Sequence, residues 1–310
     1  MKAKESSELR ILPTEQPLPA ARNLDQLSAL EIARLINQED STVAAAVEKA
    51  LPQIARAIDE VARALRRGGR LIYVGAGTSG RLGALDASEI QPTFNTPPGA
   101  VQFLMAGGPR ALGASTEASE DDTALALREM KKRKPGKKDV ILGIASSGRT
   151  PFTLAALDYA RRRGARTIAL TCNRRSPLER AAHFAIVTET GPEVLAGSSR
   201  MKAATAHKMV VNMISTGAMC RLGYVYGNLM VNVWTKNEKL RQRAIRILEE
   251  ATGADHESAA NALRASGNRT PVALVMLAAG ASRMKAVAAL KKSQGDVRQA
   301  IALAAKLRPS

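Results

Sequence analysis

The chain has 310 residues, of which 45% are hydrophobic and 24% charged, and its formal net charge is +18. This is the composition of a globular protein, and it excludes a disordered, collagen-like or coiled-coil chain. No apolar stretch approaches the roughly 20 residues needed to cross a bilayer, and the N-terminus does not resemble a signal peptide.

The few cysteines and histidines do not indicate a metal site. Cys172 and Cys220 form no Cys-x-x-Cys pair, which argues against a disulfide framework and a thiolate zinc site and favours a reducing, cytoplasmic location. His183, His207 and His256 are scattered, without the spacing of metal ligands. We therefore predict no bound metal.

The positive charge is concentrated in the second half of the chain. Residues 151–310 contain 25 Lys and Arg against 10 Asp and Glu, a net charge of +15. One interpretation is a nucleic-acid-binding surface. The other is a general enrichment of surface Arg and Lys, and the 3% aromatic content argues against binding a single strand by stacking. We favour the second interpretation.

The sequence of the N-terminal part predicts an arm followed by helices. Residues 1–23 are polar and contain three prolines, which indicates an extended arm. Helical periodicity begins near Ser28. A second, longer helix is expected from Ser41, as its N-cap, to Arg67, with Gly68 and Gly69 ending it.

Short apolar runs then alternate with helical stretches. The runs predict strands over residues 70–74, 101–105, 139–145, 167–171 and 184–187. Strands that alternate with helices form a parallel sheet with helices on both faces, which defines an α/β fold.

After residue 236 no strand pattern remains. A weak repeat at an offset of 27 residues predicts two helical hairpins packed as a small all-α bundle. We therefore divide the chain into an arm with a first helix (1–40), a sheet domain (41–235) and a C-terminal helical domain (236–310).

A glycine-rich loop follows the first predicted strand. Gly75-Ala76-Gly77-Thr78-Ser79-Gly80 matches G-x-G-x-x-G, which alone suggests a dinucleotide site. The next strand, however, ends in residues 105–108 without an acidic residue for a ribose. The hydroxyls of Thr78 and Ser79 suit a phosphate monoester better. The alternative is a tight turn in which the glycines serve only the backbone.

A second loop of the same kind follows the third predicted strand. Ser146-Ser147-Gly148-Arg149-Thr150-Pro151 also leads from a strand into a helix. Two such loops on one parallel sheet converge at the carboxyl ends of their strands, where open α/β sheets bind ligands. The alternative is helix capping by Ser147 or Thr150. Because the feature occurs twice, we favour a phosphate site.

These loops resemble the sugar isomerase (SIS) domain, which binds phosphosugars. Longer motifs at residues 75–89, 119–122, 197–202 and 235–240 are similar to those of the bacterial N-acetylmuramic acid 6-phosphate etherases. The likeness extends over almost the whole chain, and the related glucokinase regulatory protein shares the domain. The resemblance implies a SIS-type α/β fold, and it implies a homodimer.

The resemblance also implies a reaction and its catalytic residues. The family removes D-lactate from N-acetylmuramic acid 6-phosphate by elimination and hydration, giving N-acetylglucosamine 6-phosphate, in the recycling of cell-wall amino sugars and without a cofactor. Glu89 would protonate the departing lactate and then activate water, and Glu120 would remove the C2 proton. The predicted substrate-binding residues are Gly77, Thr78, Ser79, Ser146, Ser147, Thr150, Ser198, Ser199 and Lys202.

Each of these residues must be weighed against a purely structural interpretation. Glu89 suits a solvated helix end poorly, because an acid near a helix C-terminus opposes the dipole. Without the family, Glu120 would be structural, since Ser119-x-x-Asp122 is typical of a helix start. The segment from Ser198 to Lys202 could equally be a serine-capped helix N-terminus.

The chain departs from the family pattern at residues 16–19, at Ala204 and at Asn232, and none of these positions is a predicted catalytic residue. The alternative function is a phosphosugar-sensing regulator whose basic half binds nucleic acid. The nearly neutral N-terminal region argues against it, because such regulators usually carry their DNA-binding motif there.

Overall fold

A computed structural model describes residues 12–114, 117–233, 235 and 237–306. The chain forms two compact units. The first contains the residues up to Ala87 together with Gly99–Ser215, and the second contains Ser88–Pro98 and Thr216–Ser310. The domain boundaries given above, at residues 40 and 235, stay a prediction.

Five parallel strands form the sheet of the first unit. In chain order they are β1 (Leu71–Gly75), β2 (Val101–Met105), β3 (Val140–Ile144), β4 (Arg166–Thr171) and β5 (Phe184–Val187). Their spatial order is β2-β1-β3-β4-β5, and every neighbouring pair is parallel. The predicted parallel α/β sheet is confirmed.

Helices flank these strands along the chain. They are α1 (Ala29–Asp40), α2 (Val43–Glu48), α3 (Leu51–Arg66), α4 (Gly77–Phe94), α5 (Thr123–Arg133), α6 (Pro151–Arg162), α7 (Pro177–Ala181) and α8 (Lys202–Arg221). On one sheet face, Ile72 and Ile141 pack with Met130 of α5 and Phe152 of α6, all of them fully buried. Each such side chain contributes about 1.5–3 kcal/mol to folding.

The sequence predicts one helix from Ser41 to Arg67, but the structure has two helices, α2 and α3, in this range. The predicted start at Ser41 is therefore wrong. The chain breaks between α2 and α3, where Pro52 lies in the first turn of α3 and lacks the N–H that a continuous helix would use. Ser41 ends α1, and its hydroxyl donates to the Gln38 carbonyl at 2.6 Å. Ser28 begins α1 in a capping box with Glu31.

The described part of the arm is not extended, which corrects the prediction. It forms two short 3₁₀ turns, Pro13–Glu15 and Pro19–Ala21, and a third turn, Leu24–Gln26, directly follows it. Two of the turns begin at a proline, whose fixed φ suits a helical first position as well as an extended chain. Thr14 is fully buried, so this part of the arm is a packed element.

The second unit is helical, as predicted. Its helices after α8 are α9 (Glu238–Thr252), α10 (His256–Ala265), α11 (Thr270–Ala279), α12 (Arg283–Lys292) and α13 (Val297–Ala305). The 27-residue repeat relates α10 to α12 and α11 to α13. At equivalent positions the buried hydroxyls of Ser266 and Ser293 donate to the carbonyls of Leu263 and Leu290, at 2.7 and 3.2 Å.

These helices share one apolar core, to which both copies of the repeat contribute Ala and Leu side chains. Among the described residues, no helix alone is long and apolar enough to cross a membrane. The pair α11 and α12 meets that criterion only jointly, and it is bent by 109°.

Candidate functional site

The two hydroxyl-rich loops follow adjacent strands at the point where the strand order reverses. In the sheet, β1 lies between β2 and β3, so the chain passes from β1 to β2 on one side and then crosses to β3 on the other. Gly75 pairs with Met105 and with Ile144, so that β1, β2 and β3 end at one level. Ligands of open α/β sheets bind in the crevice at such a reversal. The fold therefore places both loops where a ligand site is expected.

In the first loop the backbone conformation and close packing explain two of the glycines, Gly77 and Gly80. A Cβ on Gly80 would lie 2.8 Å from the Gly75 carbonyl oxygen and 2.8 Å from Met105 Cγ, so a side chain does not fit. Gly77 begins α4 with a φ of +51°. The backbone does not, however, require the hydroxyls of Thr78 and Ser79, which are half-buried in the first turn of α4. The two hydroxyls therefore still favour a phosphate site at this loop.

The second loop turns sharply at Gly148. Its φ is +68°, and a Cβ there would lie 2.4 Å from Ser176 Oγ. The Ser147 hydroxyl accepts a hydrogen bond from the Arg149 N–H at 3.2 Å, which closes a local turn. Thr150 is the N-cap residue of α6 but makes no side-chain capping hydrogen bond. Helix capping therefore does not account for the Thr150 hydroxyl.

Glu120 lies in a different local structure from the one its sequence suggests. It belongs to a 3₁₀ turn, Glu117–Asp121, whereas α5 begins at Thr123 with the Asp122 side chain as its cap. Glu120 is thus not an acid in the first turn of a helix. Its Oε1 atom lies 3.2 Å from the position of a Cβ on Gly77. The exposed Glu120 carboxylate therefore lies close to Gly77, the residue of the first loop at which α4 begins.

Glu89 lies in the last third of α4, with an exposed side chain. The helix has 18 residues and continues past Glu89, through Pro92, to Phe94. Glu89 falls in the second compact unit and Glu120 in the first. The catalytic roles of both glutamates stay predictions.

Lys202 makes contacts that its charge alone did not reveal. Its side chain is 4% exposed and its Nζ pairs with Glu39 of α1. The fully buried Glu193 carboxylate accepts hydrogen bonds from the Lys202 and Ala203 N–H groups, both at 2.9 Å. Glu193, rather than a serine, thus caps α8. Burial raises the pKa of the Glu193 carboxyl, and these hydrogen bonds partly offset the rise.

Ser198 and Ser199 lie half-buried in the segment that precedes α8. Their predicted contact with substrate, and that of Lys202, stay predictions. The Lys202 ammonium already has a carboxylate partner, so an anionic ligand would have to compete with Glu39 for it.

The buried sulfur and imidazole groups are structural. His207 Nε2 lies 3.5 Å from Cys172 Sγ, and burial lowers the pKa of His207 to about 4. Burial also raises the pKa of Cys172 to about 11, so its thiol stays protonated at neutral pH. Among the described residues, no three His, Cys, Asp or Glu side chains form a group that could hold a metal ion.

Comparison with known proteins identifies the family. The profile of the glucokinase regulatory protein N-terminal SIS domain matches residues 53–161, and that of the SIS domain matches residues 115–216. The chain is 54% identical to the N-acetylmuramic acid 6-phosphate etherase of Symbiobacterium thermophilum, over 88% of this chain and 91% of that protein. The corresponding etherase of Pectobacterium atrosepticum is 50% identical, over 96% and 98%.

The chain belongs to the N-acetylmuramic acid 6-phosphate etherase family. Membership of this family confirms the resemblance noted in the sequence and the SIS-type fold. It favours the enzyme over the regulator as the function of the chain.

In this member of the etherase family, sequence reasoning missed a buried carboxylate. Asp86 of α4, 4% exposed, accepts hydrogen bonds from Tyr73 at 2.6 Å, Ser215 at 2.9 Å and Asn212 at 3.2 Å. Burial raises the pKa of Asp86, and these donors partly offset the rise. The carboxylate thereby joins α4 to β1 and α8 within the first unit. An aspartate in the otherwise apolar run Leu82–Ala87 was the available signal.

Proposed function

We propose that this protein cleaves the D-lactyl ether of N-acetylmuramic acid 6-phosphate, giving N-acetylglucosamine 6-phosphate and D-lactate. Two features support the proposal: etherase relatives that align over nearly the whole chain, and two hydroxyl-rich loops at the reversal of the strand order. The observation that carries it is the Glu120 carboxylate against Gly77, because it brings a proton acceptor to the phosphate loop.

The proposed reaction is an elimination followed by a hydration, which makes the enzyme a carbon–oxygen lyase. In the open-chain sugar the C1 aldehyde acidifies the C2 proton. A base removes that proton, the C3–O bond breaks, and the lactyl oxygen takes a proton from an acid. Water then adds across the C2–C3 double bond, with its oxygen at C3. No electrons leave or enter the substrate, so the chemistry needs proton transfer and no redox partner.

Glu120 is the proposed C2 base and Glu89 the proposed acid. Glu89 protonates the departing lactate and, once ionised, accepts a proton from the incoming water. The proposed phosphate ligands are the first-turn hydroxyls of Thr78 and Ser79, with the second loop supplying those of Ser146, Ser147 and Thr150. Hydroxyls and backbone N–H groups at helix starts are suited to a phosphate monoester.

The proposed working form is a homodimer in the cytoplasm. None of the residues of α1 is buried, and Leu30 on this helix is 59% exposed. A two-fold contact with a second copy is the commonest way to cover such a face. The apolar residues Val210, Val211 and Ile214 of α8 are already buried within the chain, so they do not argue for a second copy. Cys172 and Cys220 are both free thiols, in keeping with a reducing compartment.

Release of D-lactate tests the proposed function. Purified protein incubated with N-acetylmuramic acid 6-phosphate is expected to release equal amounts of D-lactate and N-acetylglucosamine 6-phosphate. N-Acetylmuramic acid without the phosphate is the matched control, and we expect it to react far more slowly because it lacks the group that the loops bind. Folded protein that releases no lactate from the phosphorylated sugar would refute the proposal.

A further inference from the structure

Three donors converge on the carbonyl oxygen of Ser146 in the second loop. The Cys172 N–H lies at 3.0 Å, the Thr171 hydroxyl at 3.1 Å and the Asn173 side-chain amide at 2.9 Å. All three residues are buried. They follow one another from the last residue of β4, so the neighbouring strand fixes the direction of this carbonyl.

The direction of that carbonyl sets the direction of the next N–H group. The Ser146 carbonyl and the Ser147 N–H belong to one planar trans peptide, in which the two groups point in opposite directions. With the carbonyl held toward β4, the Ser147 N–H points the other way. Hydrogen bonds to the carbonyl also polarise the peptide, which makes its N–H a stronger donor. The Ser147 N–H lies in the proposed phosphate loop, so its strength as a donor bears directly on anion binding.

The N-terminal arm completes this arrangement through Asn173. The second N–H of the Asn173 amide donates to the Thr14 hydroxyl at 3.0 Å, and Thr14 is 0% exposed. The Oδ1 atom of Asn173 is buried without a hydrogen-bond partner among the described residues. A buried acceptor without a partner is costly. The amide nevertheless holds this orientation, in which both of its N–H groups are used.

The same stretch of the arm lies against a third segment of the proposed site. Glu15 Oε2 is 3.1 Å from the position of a Cβ on Gly197, the residue before Ser198 and Ser199. The turn Pro13–Glu15 therefore contacts Asn173 through Thr14 and the Gly197 segment through Glu15. All of these residues belong to the first compact unit.

We propose that Thr14 is a positioning residue of the phosphosugar site, acting through Asn173 on the Ser146–Ser147 peptide. This inference rests on the proposed function, since it assumes that the second loop binds the phosphate. Thr14 itself touches no substrate. It holds the Asn173 amide in the orientation that supports the Ser146 carbonyl, and so makes the arm part of the anion site.

Thr14→Val tests the inference, because valine keeps the shape of threonine and removes the acceptor. We expect Kd for N-acetylglucosamine 6-phosphate, measured by calorimetry, to rise about tenfold, because an Asn173 amide without its Thr14 partner no longer holds the Ser146–Ser147 peptide in its binding orientation. KM for N-acetylmuramic acid 6-phosphate should rise by the same factor, with kcat within about twofold. Thr14→Ser keeps the oxygen and should bind like the wild type.

Thr270→Val is the matched control, because Thr270 is equally buried, lies in the C-terminal helices and has a hydroxyl without a partner in the part of the chain that the structure describes. It should leave Kd unchanged. Unchanged Kd in folded Thr14→Val would overturn the inference. A loss of affinity in Thr14→Ser would also overturn the inference, because serine keeps the hydroxyl. This second result does not depend on whether the valine variant folds. Wild-type protein that binds the sugar phosphate but releases no lactate would refute the proposed function alone.

Discussion

Replacing Glu120 by Gln is expected to lower the rate of lactate release by about 10²–10⁴-fold, the usual contribution of a general base. Glutamine keeps the shape of the side chain that stands against Gly77 but cannot accept the C2 proton. KM should change little. In deuterated water the variant should also fail to exchange the C2 hydrogen of the substrate, whereas the wild type exchanges it.

Two further variants define what the Glu120→Gln result means. Asp121→Asn removes a carboxylate from the same 3₁₀ turn and should retain nearly full activity. Glu89→Gln should block lactate release while C2 exchange continues, because the proposed acid acts after the proton is removed. A Glu120→Gln enzyme that still exchanges the C2 hydrogen would show that another group is the base. Loss of exchange in Glu89→Gln instead would reverse the proposed roles.

Replacing Gly148 by Ala is expected to destabilise the protein by about 2–5 kcal/mol and to abolish phosphosugar binding. The residue has a φ of +68°, which costs an L-residue about 1–2 kcal/mol. The new Cβ would also lie 2.4 Å from Ser176 Oγ and 2.8 Å from Thr171 Oγ1. Relief of such overpacking typically costs about 1–3 kcal/mol more, and it would displace the loop that carries Ser146 and Ser147.

Gly253→Ala separates the cost of a side chain at a positive φ from the cost of the close contacts that a Cβ would make. Gly253 has a φ of +71°, and a Cβ there meets no atom of the described residues within 4 Å. It should therefore lose only the backbone contribution, about 1–2 kcal/mol, and keep its activity. Urea unfolding measures both variants. Equal destabilisation of the two would mean that the second loop adjusts to a side chain at Gly148, contrary to the close packing around this residue.

The strands could be predicted from the sequence because buried parallel strands are short, continuous apolar runs. β2 and β5 begin and end at the predicted residues, β1 and β3 differ from the prediction by one residue at each end, and β4 begins one residue earlier. The break before Pro52 was missed because the apolar stripe continues at helical spacing on both sides of it. The helical repeat was visible because equivalent buried alanines and serines recur with one period.

The contacts around the candidate site could not be predicted, because they join residues far apart in the chain. Thr14 meets Asn173 across 159 positions, and Lys202 meets Glu39 across 163. A lysine beside serines in a loop suggests an anion ligand, and only the fold reveals the carboxylate partner. Glu120 shows the converse: local sequence suggested a helix start, and the fold instead places its carboxylate at Gly77.

Turnover of N-acetylmuramic acid 6-phosphate in oxygen-18 water tests the central claim most directly. Elimination breaks the C3–O bond and hydration installs a new oxygen at C3. The account therefore predicts one oxygen-18 atom in N-acetylglucosamine 6-phosphate, at its 3-hydroxyl, and none in the lactate. Mass spectrometry of the two products decides the question. Label in the lactate, with an unlabelled sugar, would show that water attacks the lactyl carbon and would contradict the proposed elimination.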